Sequence, residues 1–386
     1  MTGVFQHIRK LFPGDGFLPL HEPVFDDSDK ALVLDTIDST FVSSVGKYVD
    51  EFEVLLAELA GTKRAVAVVN GTQALYLALK VLDIGPDDLV ITQSLTFVAT
   101  ANAIAYTGAK PAFVDVDPDR LSICPKALRH FLETQTKDNG TTRVEVSTGR
   151  RVAAVVPMHT FGHPAQMDEI LDICKEFQLP VVEDAAEGLG SLYKNRPIGS
   201  FGTLAAFSFN GNKIVTTGGG GAIATNSDQL ADRLKYLSTT AKKPDPFEFI
   251  HTEVGYNFRL PNLNAALGVS QLRRFDHVLE KQQRLADSYR SFFKDQSEIR
   301  FIDQPTDSKS NFWMNAIRFT HPDRLSQFLE LSRSENVMVR LIWRPMHLLE
   351  MFQDCPKGDM TQTELAYKSI VNIPSSINYS ELKNER

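Results

Sequence analysis

Short apolar runs alternate with longer segments of mixed polarity between about residues 65 and 225. The short runs are rich in β-branched residues and end in small or polar ones, which is typical of buried strands. The longer segments carry apolar residues at helical spacing. The alternation therefore predicts βαβ units that build a mostly parallel sheet between helices. We predict strands over 65–69, 89–92, 111–116, 152–157 and 179–184, and helices over 73–82, 96–106, 125–135 and 167–177.

This pattern is interrupted once and then changes. Residues 136–150 are polar and rich in Thr and Gly, so they predict a surface excursion such as a hairpin. After about residue 250, long charged helices such as 271–293 precede shorter apolar pieces. We therefore expect an N-terminal arm over 1–30, a large domain over 31–250 and a smaller α+β domain over 251–386.

The 386-residue chain has an ordinary globular composition, with 42% hydrophobic and 23% charged residues. Its 41 basic and 48 acidic residues give a formal net charge of −7. Such a surface offers no electrostatic footprint for nucleic acid or an anionic membrane, and we expect neither as a partner. No apolar run approaches the ~20 residues that span a bilayer. Three scattered cysteines fit a reducing compartment, so we expect a cytoplasmic protein.

The first candidate for chemistry is the turn Asn70-Gly71-Thr72 between a predicted strand and a predicted helix. A helix N-terminus offers unpaired N–H groups, Gly71 permits close approach of a ligand, and Thr72 adds a hydroxyl. These features favour anion binding. The alternative is that Asn70 and Thr72 only cap the helix.

A second candidate lies at the end of the predicted strand 179–184, where Asp184 and Glu187 follow apolar residues. Ligands of open α/β sheets collect beyond the carboxyl ends of the strands, so Asp184 is aimed at such a site. A buried carboxylate needs a cation or it takes up a proton. The alternative for Asp184 is an N-cap of the next helix.

The third candidate is Lys213, which follows Ser208 within SFNGNK and precedes four glycines, Gly218 to Gly221. A lysine among such small residues can lose its hydration and act as an amine nucleophile that forms a Schiff base. A solvated surface lysine is the alternative. The glycine run does not follow the order GxxxxGK[ST], so a nucleoside triphosphate site is not expected.

His159 and His163 have the spacing of a helical metal pair. Gly162 and Pro164 favour a loop there, and no third ligand is near in sequence, so we predict no metal site. We instead expect His159 to line a pocket at a strand end.

Taken together, these candidates resemble the pyridoxal-phosphate site of a fold-type-I aminotransferase, with a large domain of mostly parallel mixed sheet between helices and a smaller α+β C-terminal domain. Further motifs occur along most of the chain: FVSSVGKYVDEFE (41–53), NGTQALYLAL (70–79), SLTFVATANAI (94–104), PAFVDVDPD (111–119), MHTFGHPAQMDEI (158–170), VVEDAAEGLGS (181–191), SFNGNKIVTTGGGGA (208–222), GYNFRLPNLNAALG (255–268) and RPMH (344–347). In these motifs the chain resembles the DegT/DnrJ/EryC1/StrS family of nucleotide-sugar aminotransferases. Within that family, 210–221 and 311–317 resemble the branch that aminates C4 of 4-keto sugars on routes to legionaminic acid.

The resemblance implies a role for each matching residue around the cofactor. Lys213 matches the Schiff-base lysine that also moves protons, and Asp184 matches the carboxylate that pairs with the pyridinium nitrogen. Phe97 matches the aromatic position that stacks on the ring. Glu187 matches a position near the ring and the substrate. The phosphate positions are matched by Gly71, Thr72 and Ser208.

The resemblance also implies the partners. Asn257 matches a residue that reaches the phosphate of the neighbouring subunit, which implies a homodimer with shared active sites. His159, Arg259 and His347 are expected at the substrate. The expected substrates are a UDP- or GDP-linked keto sugar and L-glutamate as the amino donor.

One departure from the family pattern is visible, because Gly219 stands where most relatives carry an acid. We expect altered loop packing with activity retained. The lysine at 213 places the chain with the transaminases, since relatives with histidine there are dehydratases. Two alternatives stay open: a C3-aminating or other pyridoxal-phosphate enzyme of sugar nucleotides, and a non-catalytic binding or regulatory paralogue.

Overall fold

The computed structural model describes residues 1–377. Its helices are α1 Thr2–Leu11, α2 Asp27–Asp38, α3 Lys47–Ala60, α4 Gly71–Lys80, α5 Val98–Tyr106, α6 Pro125–Thr134, α7 Met167–Glu176, α8 Asp228–Ser238, α9 Asn262–Arg273, α10 Phe275–Phe293, α11 Arg324–Ser334 and α12 Thr361–Ser369. Its strands are β1 Arg64–Val68, β2 Asp88–Gln93, β3 Lys110–Val114, β4 Thr136–Asp138, β5 Arg143–Glu145, β6 Arg151–Val156, β7 Val182–Asp184, β8 Leu192–Tyr193, β9 Arg196–Pro197, β10 Leu204–Ser208, β11 Gly221–Thr225, β12 Lys242–Lys243, β13 Ile250–His251, β14 Ile299–Phe301, β15 Ser308–Lys309, β16 Asn315–Phe319, β17 Arg340–Leu341 and β18 Ile370–Ile373.

The large sheet has the strand order β1-β11-β10-β7-β6-β2-β3. Parallel bridges from Val155 to Val181 and from Met158 to Asp184 join β6 to β7. β11 runs antiparallel to both of its neighbours, while β10 with β7, β2 with β3 and β2 with β6 pair in parallel. The prediction of a mostly parallel mixed sheet is confirmed. The carboxyl ends of β1, β2, β6, β7 and β10 therefore meet at one edge.

Helices cover both faces of this sheet, which explains why its strands read as continuous apolar runs. Successive strand residues point to opposite faces, so Ala65 and Ala67 belong to the buried cluster that includes residues of α3, α6, α7 and α9. Val66 and Val68 belong to the cluster on the other face, with residues of α4, α5 and α8. Both faces are thus buried, as the run at 65–69 predicts.

The excursion over residues 136–150 forms the antiparallel hairpin of β4 and β5, which extends the sheet beside β6. The single helix predicted over 271–293 is instead two helices that meet at Arg274. There the backbone leaves the helical region, with φ of −112° and ψ of 17°. The Arg274 guanidinium donates to the carbonyl of Val24 at 3.1 Å and to Asp29 at 2.5 Å, which anchors the break to the N-terminal segment.

A second sheet of order β14-β16-β18-β17 is antiparallel throughout. It packs with α1, α10 and α11, and the rings of Phe5 and Phe328 stack at 4.8 Å. Helix α9 packs instead against α3 of the large sheet, where a Cβ on Gly268 would lie 2.5 Å from the Phe52 ring. The division into 1–30, 31–250 and 251–386 stays a prediction, and its last nine residues lie outside the described part of the chain.

Among residues 1–377, no helix has both the length and the apolar character required to cross a bilayer.

Candidate active site

A cavity of about 450 Å³ opens at the carboxyl ends of the large-sheet strands, between that sheet and the second one. Residues at or after the carboxyl ends of β1, β2, β6, β7 and β10 line it, as expected for an open α/β sheet. Seven of the residues predicted from the sequence line it: Gly71, Thr72, Phe97, Asp184, Glu187, Ser208 and Lys213.

The first wall of the cavity is the N-terminus of α4. Asn70 caps this helix through its side chain, which accepts from the Gln73 amide at 2.8 Å. The next amides, at Gly71 and Thr72, lie in the first helical turn and have no helical carbonyl to bond. A Cβ on Gly71 would lie 2.7 Å from the Ser208 Cβ, so only glycine brings these amides so close to that hydroxyl. Asn70 thus caps the helix, and the amides of Gly71 and Thr72 beside it remain suited to an anion.

Asp184 is a buried carboxylate at the end of β7. One of its oxygens accepts from the Thr100 hydroxyl at 2.6 Å, and the other accepts from the Ala186 amide at 3.2 Å. Burial raises the pKa of the Asp184 carboxyl, and these two hydrogen bonds oppose the rise. No salt bridge to Asp184 occurs within residues 1–377, so the carboxylate faces the cavity without a protein cation in contact.

Glu187 and Lys213 face each other across the cavity floor, with 3.4 Å between Oε1 and Nζ. The other oxygen of Glu187 accepts from the Phe161 amide at 2.8 Å. Burial nevertheless raises the pKa of Glu187 to about 7. Lys213 follows β10 in a turn closed by its own amide, which donates to the Asn210 carbonyl at 2.9 Å. Its side chain is only 13% exposed, so the reading as a solvated surface lysine is wrong.

The second sheet supplies the opposite wall, which the sequence pattern did not indicate. Trp313 lies against Lys213, whose Nζ is 3.9 Å from the ring centroid. Its Nε1 donates to the Asn212 carbonyl at 2.7 Å. Arg340, Trp343 and Asn372 line the same wall. The motif at 311–317 is the only local signal that could have drawn attention to Trp313.

Phe97 stands at the mouth of the cavity just before α5 and remains 51% exposed. Its ring centroid is 6.4 Å from that of Trp343, in an edge-on arrangement. An aromatic face left open beside a cavity is suited to stack on a planar ligand.

Four predicted residues lie outside the cavity lining. His159 is completely buried: Nε2 lies 3.2 Å from a Glu183 oxygen, and Nδ1 accepts from the Ala165 amide at 3.1 Å. Since both nitrogens are occupied, the expectation that His159 lines the pocket is wrong, and a substrate cannot reach it. Residues 160–162 form a single 3-10 turn, so His159 and His163 are not a helical pair.

His347 is also largely buried and holds two segments together. Its Nδ1 lies 2.7 Å from the Ser94 hydroxyl, which also accepts from the His347 amide at 3.1 Å. Burial lowers the pKa of this imidazole. His347 therefore joins the end of β2 to the C-terminal part and does not reach the cavity.

Asn257 and Arg259 lie on a segment that runs beside β1, where Arg259 bridges to Val68. The Asn257 side chain is exposed and accepts from the Arg259 guanidinium at 3.4 Å. Neither side chain lines the cavity of its own chain. Within the described part, no cluster of three or more metal-ligating side chains occurs.

The glycine at 219 lies in a loop that Asn264 holds, with its Nδ2 donating to the Thr217 carbonyl at 2.7 Å. A Cβ at Gly219 would meet only the Val69 carbonyl oxygen, at 4.0 Å. The backbone therefore leaves room for a side chain at this position.

The arrangement fits pyridoxal phosphate. The α4 amides and Ser208 suit a phosphate group, because a Cβ at residue 71 would fill the space between them. Asp184 is a buried acceptor for a protonated ring nitrogen, Phe97 offers a ring face, and Lys213 offers an amine.

Comparisons with known proteins agree with this chemistry. A sequence profile described as the DegT/DnrJ/EryC1/StrS aminotransferase family matches residues 23–386. The chain is 34% identical over 366 residues to a putative pyridoxal phosphate-dependent aminotransferase, EpsN, of Bacillus subtilis, covering 94% of this chain and 92% of that protein. It is also 34% identical to the GDP-perosamine synthase of Caulobacter vibrioides, covering 94% of both chains.

The structure as a whole also resembles solved aminotransferase structures. The structure matches Helicobacter pylori PseC, an aminotransferase involved in the biosynthesis of pseudoaminic acid, with a TM-score of 0.85 at 26% identity. This match covers 95% of this chain and 96% of that one. The predicted fold class, that of fold-type-I aminotransferases, is confirmed.

Proposed function

The chain belongs to the DegT/DnrJ/EryC1/StrS aminotransferase family, whose enzymes use pyridoxal phosphate, and on that premise we propose its reaction. It moves the amino group of L-glutamate to C4 of a nucleotide-linked 4-keto-6-deoxy (2-acetamido) hexose, in the biosynthesis of amino sugars for surface glycans. The single observation that carries the proposal is the cavity in which Lys213, Asp184 and the α4 N-terminus converge.

Each residue that lines the cavity has a separate role in the proposed reaction. When bound, pyridoxal phosphate would supply a protonated ring that acts as an electron sink for the carbon that carries the amino group. The amides of Gly71 and Thr72 and the Ser208 hydroxyl would hold the phosphate. Asp184 would keep a proton on the ring nitrogen, and Thr100 keeps Asp184 in position through their 2.6 Å hydrogen bond. The Phe97 ring would offer its face to the cofactor and exclude water.

Lys213 would hold the cofactor through its amine and, once released, would move a proton as acid and base. Its amine is held 3.4 Å from Glu187, whose pKa of about 7 allows either protonation state near neutral pH. Glu187 can therefore take up or release a proton beside the lysine as the lysine changes its own charge.

The choice of C4 and of a 2-acetamido sugar rests on the motifs at 210–221 and 311–317, which resemble those of the legionaminic-acid branch. The nucleotide is UDP or GDP. A relative that covers nearly all of the chain is a GDP-perosamine synthase, which supports a nucleotide-linked sugar as the substrate class. The cytoplasmic location stays a prediction.

Product analysis tests the proposal. The protein is incubated with pyridoxal phosphate, L-glutamate and either a 4-keto or a 3-keto sugar nucleotide, each as UDP and GDP forms. We expect 2-oxoglutarate and a 4-amino sugar nucleotide. Lys213→Ala should remain folded but form neither product. It should also lack the visible absorption band of a lysine–cofactor bond that borohydride can reduce. Turnover by Lys213→Ala would overturn the proposal, and amination at C3 would establish the alternative reaction.

We also propose a homodimer in which Asn257 completes the phosphate site of the partner subunit. The support is that Asn257 lies outside the lining of its own cavity. In the sequence it follows a segment with strongly exposed apolar side chains, with Phe247 94% and Val254 85% exposed. Such side chains are typical of a surface that another chain covers.

Light scattering and subunit mixing test the dimer. Lys213→Ala and Asn257→Asp should each be inactive alone, and mixing them should restore activity, because one site of the mixed dimer contains both native residues. A monomer in solution, or a mixed dimer without activity, would contradict shared sites.

A further inference from the structure

A second and much smaller cavity, of about 20 Å³, also borders Lys213. Its other polar lining residues are His21, Glu22, Thr216, Gln271 and Gln282. A cavity holds a water molecule once its volume reaches roughly 10–15 Å³. This one is therefore too small for an organic ligand and has room for about one water molecule.

The backbone on both sides of His21 is fixed to the end of the described chain. The carbonyl of Leu20 accepts from the Ser375 amide at 2.7 Å. The amide of Glu22 donates to the Ser376 hydroxyl at 2.8 Å. The N-terminal segment thus holds the His21 imidazole at the small cavity.

His21 and Lys213 lie close enough to interact electrostatically. Both lie near the Trp313 ring, whose centroid is 3.9 Å from Nζ of Lys213 and 6.4 Å from the imidazole centroid. Loss of hydration lowers the pKa of His21 to about 4, and the positive charge of Lys213 contributes to this shift. His21 is therefore uncharged at neutral pH. Besides Lys213, the only other titratable residue that lines the small cavity within residues 1–377 is Glu22.

Two side chains of the lining carry an enclosed polar atom that is not hydrogen-bonded. These atoms are Nδ1 of His21 and Oε1 of Gln282, and neither has a partner in the described part of the chain. Gln282 is only 1% exposed, and its Nε2 is held by donating to the Ser375 carbonyl at 3.1 Å. Buried polar atoms are usually paired, and a buried water typically joins two to four of them. The two atoms and the volume of the cavity together suit one bridging water.

The His21 ring connects this cavity to the outside of the protein. Its Nδ1 is enclosed, whereas Nε2 is not, because His21 as a whole is only half-buried. A neutral imidazole carries a proton on one nitrogen and a lone pair on the other. Such a ring can accept a proton at one nitrogen while it releases one from the other.

We propose that the small cavity binds one water molecule between His21 and Gln282, and that His21 passes protons between this water, beside Lys213, and the solvent. In each transfer the water takes a proton from the Lys213 ammonium and gives one to Nδ1, while Nε2 releases its own proton to solvent. The imidazole stays neutral and the lysine becomes a neutral amine. The reverse transfer restores both.

The proposal rests on the proposed function, because it adds a route for protons to the role of Lys213. Cofactor and substrate would fill the 450 Å³ cavity and separate the amine from solvent on that side. Glu187 can hold a proton inside the active site, whereas His21 would exchange it with the solvent.

Rapid mixing of the holoenzyme with L-glutamate, followed by absorption, tests the proton route. His21→Gln should slow the spectral change roughly tenfold or more, because glutamine can hold the water but cannot transfer a proton. The cofactor affinity and the glutamate concentration for half-maximal rate should stay the same, since His21 does not line the active-site cavity. Added imidazole should restore part of the rate in His21→Ala, a rescue that a purely structural role would not allow.

His130→Gln is the matched control, because His130 is exposed on α6 and lines neither cavity. It should react like the wild-type protein, with no response to imidazole. Gln282→Leu should slow the reaction like His21→Gln, and the double variant should be no slower than either, because all of them affect the same water. A wild-type rate in His21→Gln, or no rescue of His21→Ala by imidazole, would overturn the proposal.

Two measurements without turnover separate this proposal from the proposed function. In histidine NMR of the cofactor-free protein, Lys213→Ala should raise the pKa of His21, because a neighbouring positive charge is removed. A high-resolution crystal structure should show one water within hydrogen-bond distance of Nδ1 of His21 and Oε1 of Gln282. An unchanged His21 pKa, or a cavity without that water, would overturn the route, whereas a wild-type spectrum that glutamate leaves unchanged would overturn the aminotransferase proposal.

Discussion

The amine of Lys213 lies 3.9 Å from the centroid of the Trp313 ring, and the indole Nε1 of that ring donates to the carbonyl of Asn212. The lysine follows a strand of the large sheet, whereas Trp313 lies two residues before β16 of the second sheet. The position of the proposed cofactor-binding lysine is thus coupled to the packing of the C-terminal part.

Two substitutions of Trp313 should therefore lower the free energy of unfolding, by different amounts. Trp313→Phe keeps a ring beneath the amine but loses the Nε1 hydrogen bond, so we expect the free energy of unfolding to fall by about 1 kcal/mol. Trp313→Leu also removes the ring from a site that is 5% exposed, and about 3 kcal/mol is expected. Urea unfolding of the cofactor-free protein measures both changes.

Asn212→Ala is the control for Trp313. It removes the Asn212 side chain but keeps the backbone carbonyl that accepts the indole hydrogen bond. Its stability should stay close to that of the wild-type protein. If Trp313→Phe were as stable as this control, the hydrogen bond from the indole Nε1 to the Asn212 carbonyl would not contribute to the stability of the protein.

The strand-end residues could be predicted because their chemistry is local in sequence. Gly71 and Asp184 each follow an apolar run, and a parallel sheet brings the carboxyl ends of such runs to one edge. The sequence alone therefore predicts which side chains meet there, without any knowledge of the intervening loops.

The opposite wall could not be predicted in this way. Trp313 and Arg340 reach the cavity through the packing of one sheet against another, and no local spacing encodes that placement. His159 shows the converse error. It follows a strand like the true lining residues, yet its ring turns inward, where Nε2 lies 3.2 Å from Glu183 and Nδ1 accepts from the Ala165 amide.

The Thr100 hydrogen bond to Asp184 should set the acidic limit of activity. Thr100→Val removes a donor to the charged carboxylate while burial remains, so the pKa of Asp184 should rise further. If the ionised carboxylate is required, the acidic limb of the pH dependence of kcat/KM moves to higher pH. Thr107→Val, at the other end of α5, should leave the limb in place.

An unchanged acidic limb in Thr100→Val would show that Asp184 is not the group that limits activity at low pH. A loss of activity at every pH, without movement of the limb, would show that Thr100 acts only on the packing of α5.

Gly71→Ala should impair cofactor binding without unfolding the protein. The new Cβ would lie 2.7 Å from the Ser208 Cβ and 3.0 Å from its hydroxyl, so Ser208 must move out of the proposed phosphate site. We expect the affinity for pyridoxal phosphate to fall roughly tenfold or more, measured by absorbance titration. Alanine itself favours the helix, which keeps stability close to native.

Gly85→Ala is the matched control, because a Cβ there meets nothing within 4 Å. It should bind the cofactor like the wild-type protein. Native affinity in Gly71→Ala would mean that the phosphate lies elsewhere.

The raised pKa of Glu187 should make the cofactor-free protein less stable as the pH rises. Burial raises this pKa from 4.5 to about 7, so the folded state holds a proton that the unfolded state releases. The associated stability is fully present below pH 4.5 and is lost as the pH rises through 7. At 1.36 kcal/mol per pH unit, the loss is on the order of 3 kcal/mol.

Glu187→Gln cannot ionise, so its stability relative to the wild-type protein should increase between pH 5 and pH 8. Thermal unfolding of both cofactor-free proteins across this range measures the difference between their stabilities. The contributions of the other titrating groups cancel in this difference, because both proteins contain them. Glu176→Gln is the control, since Glu176 is exposed beside Arg129, which lowers the pKa of its carboxyl. Parallel stability curves for Glu187→Gln and the wild-type protein would show that Glu187 ionises at its ordinary pKa, and that it does not exchange a proton beside Lys213 near neutral pH.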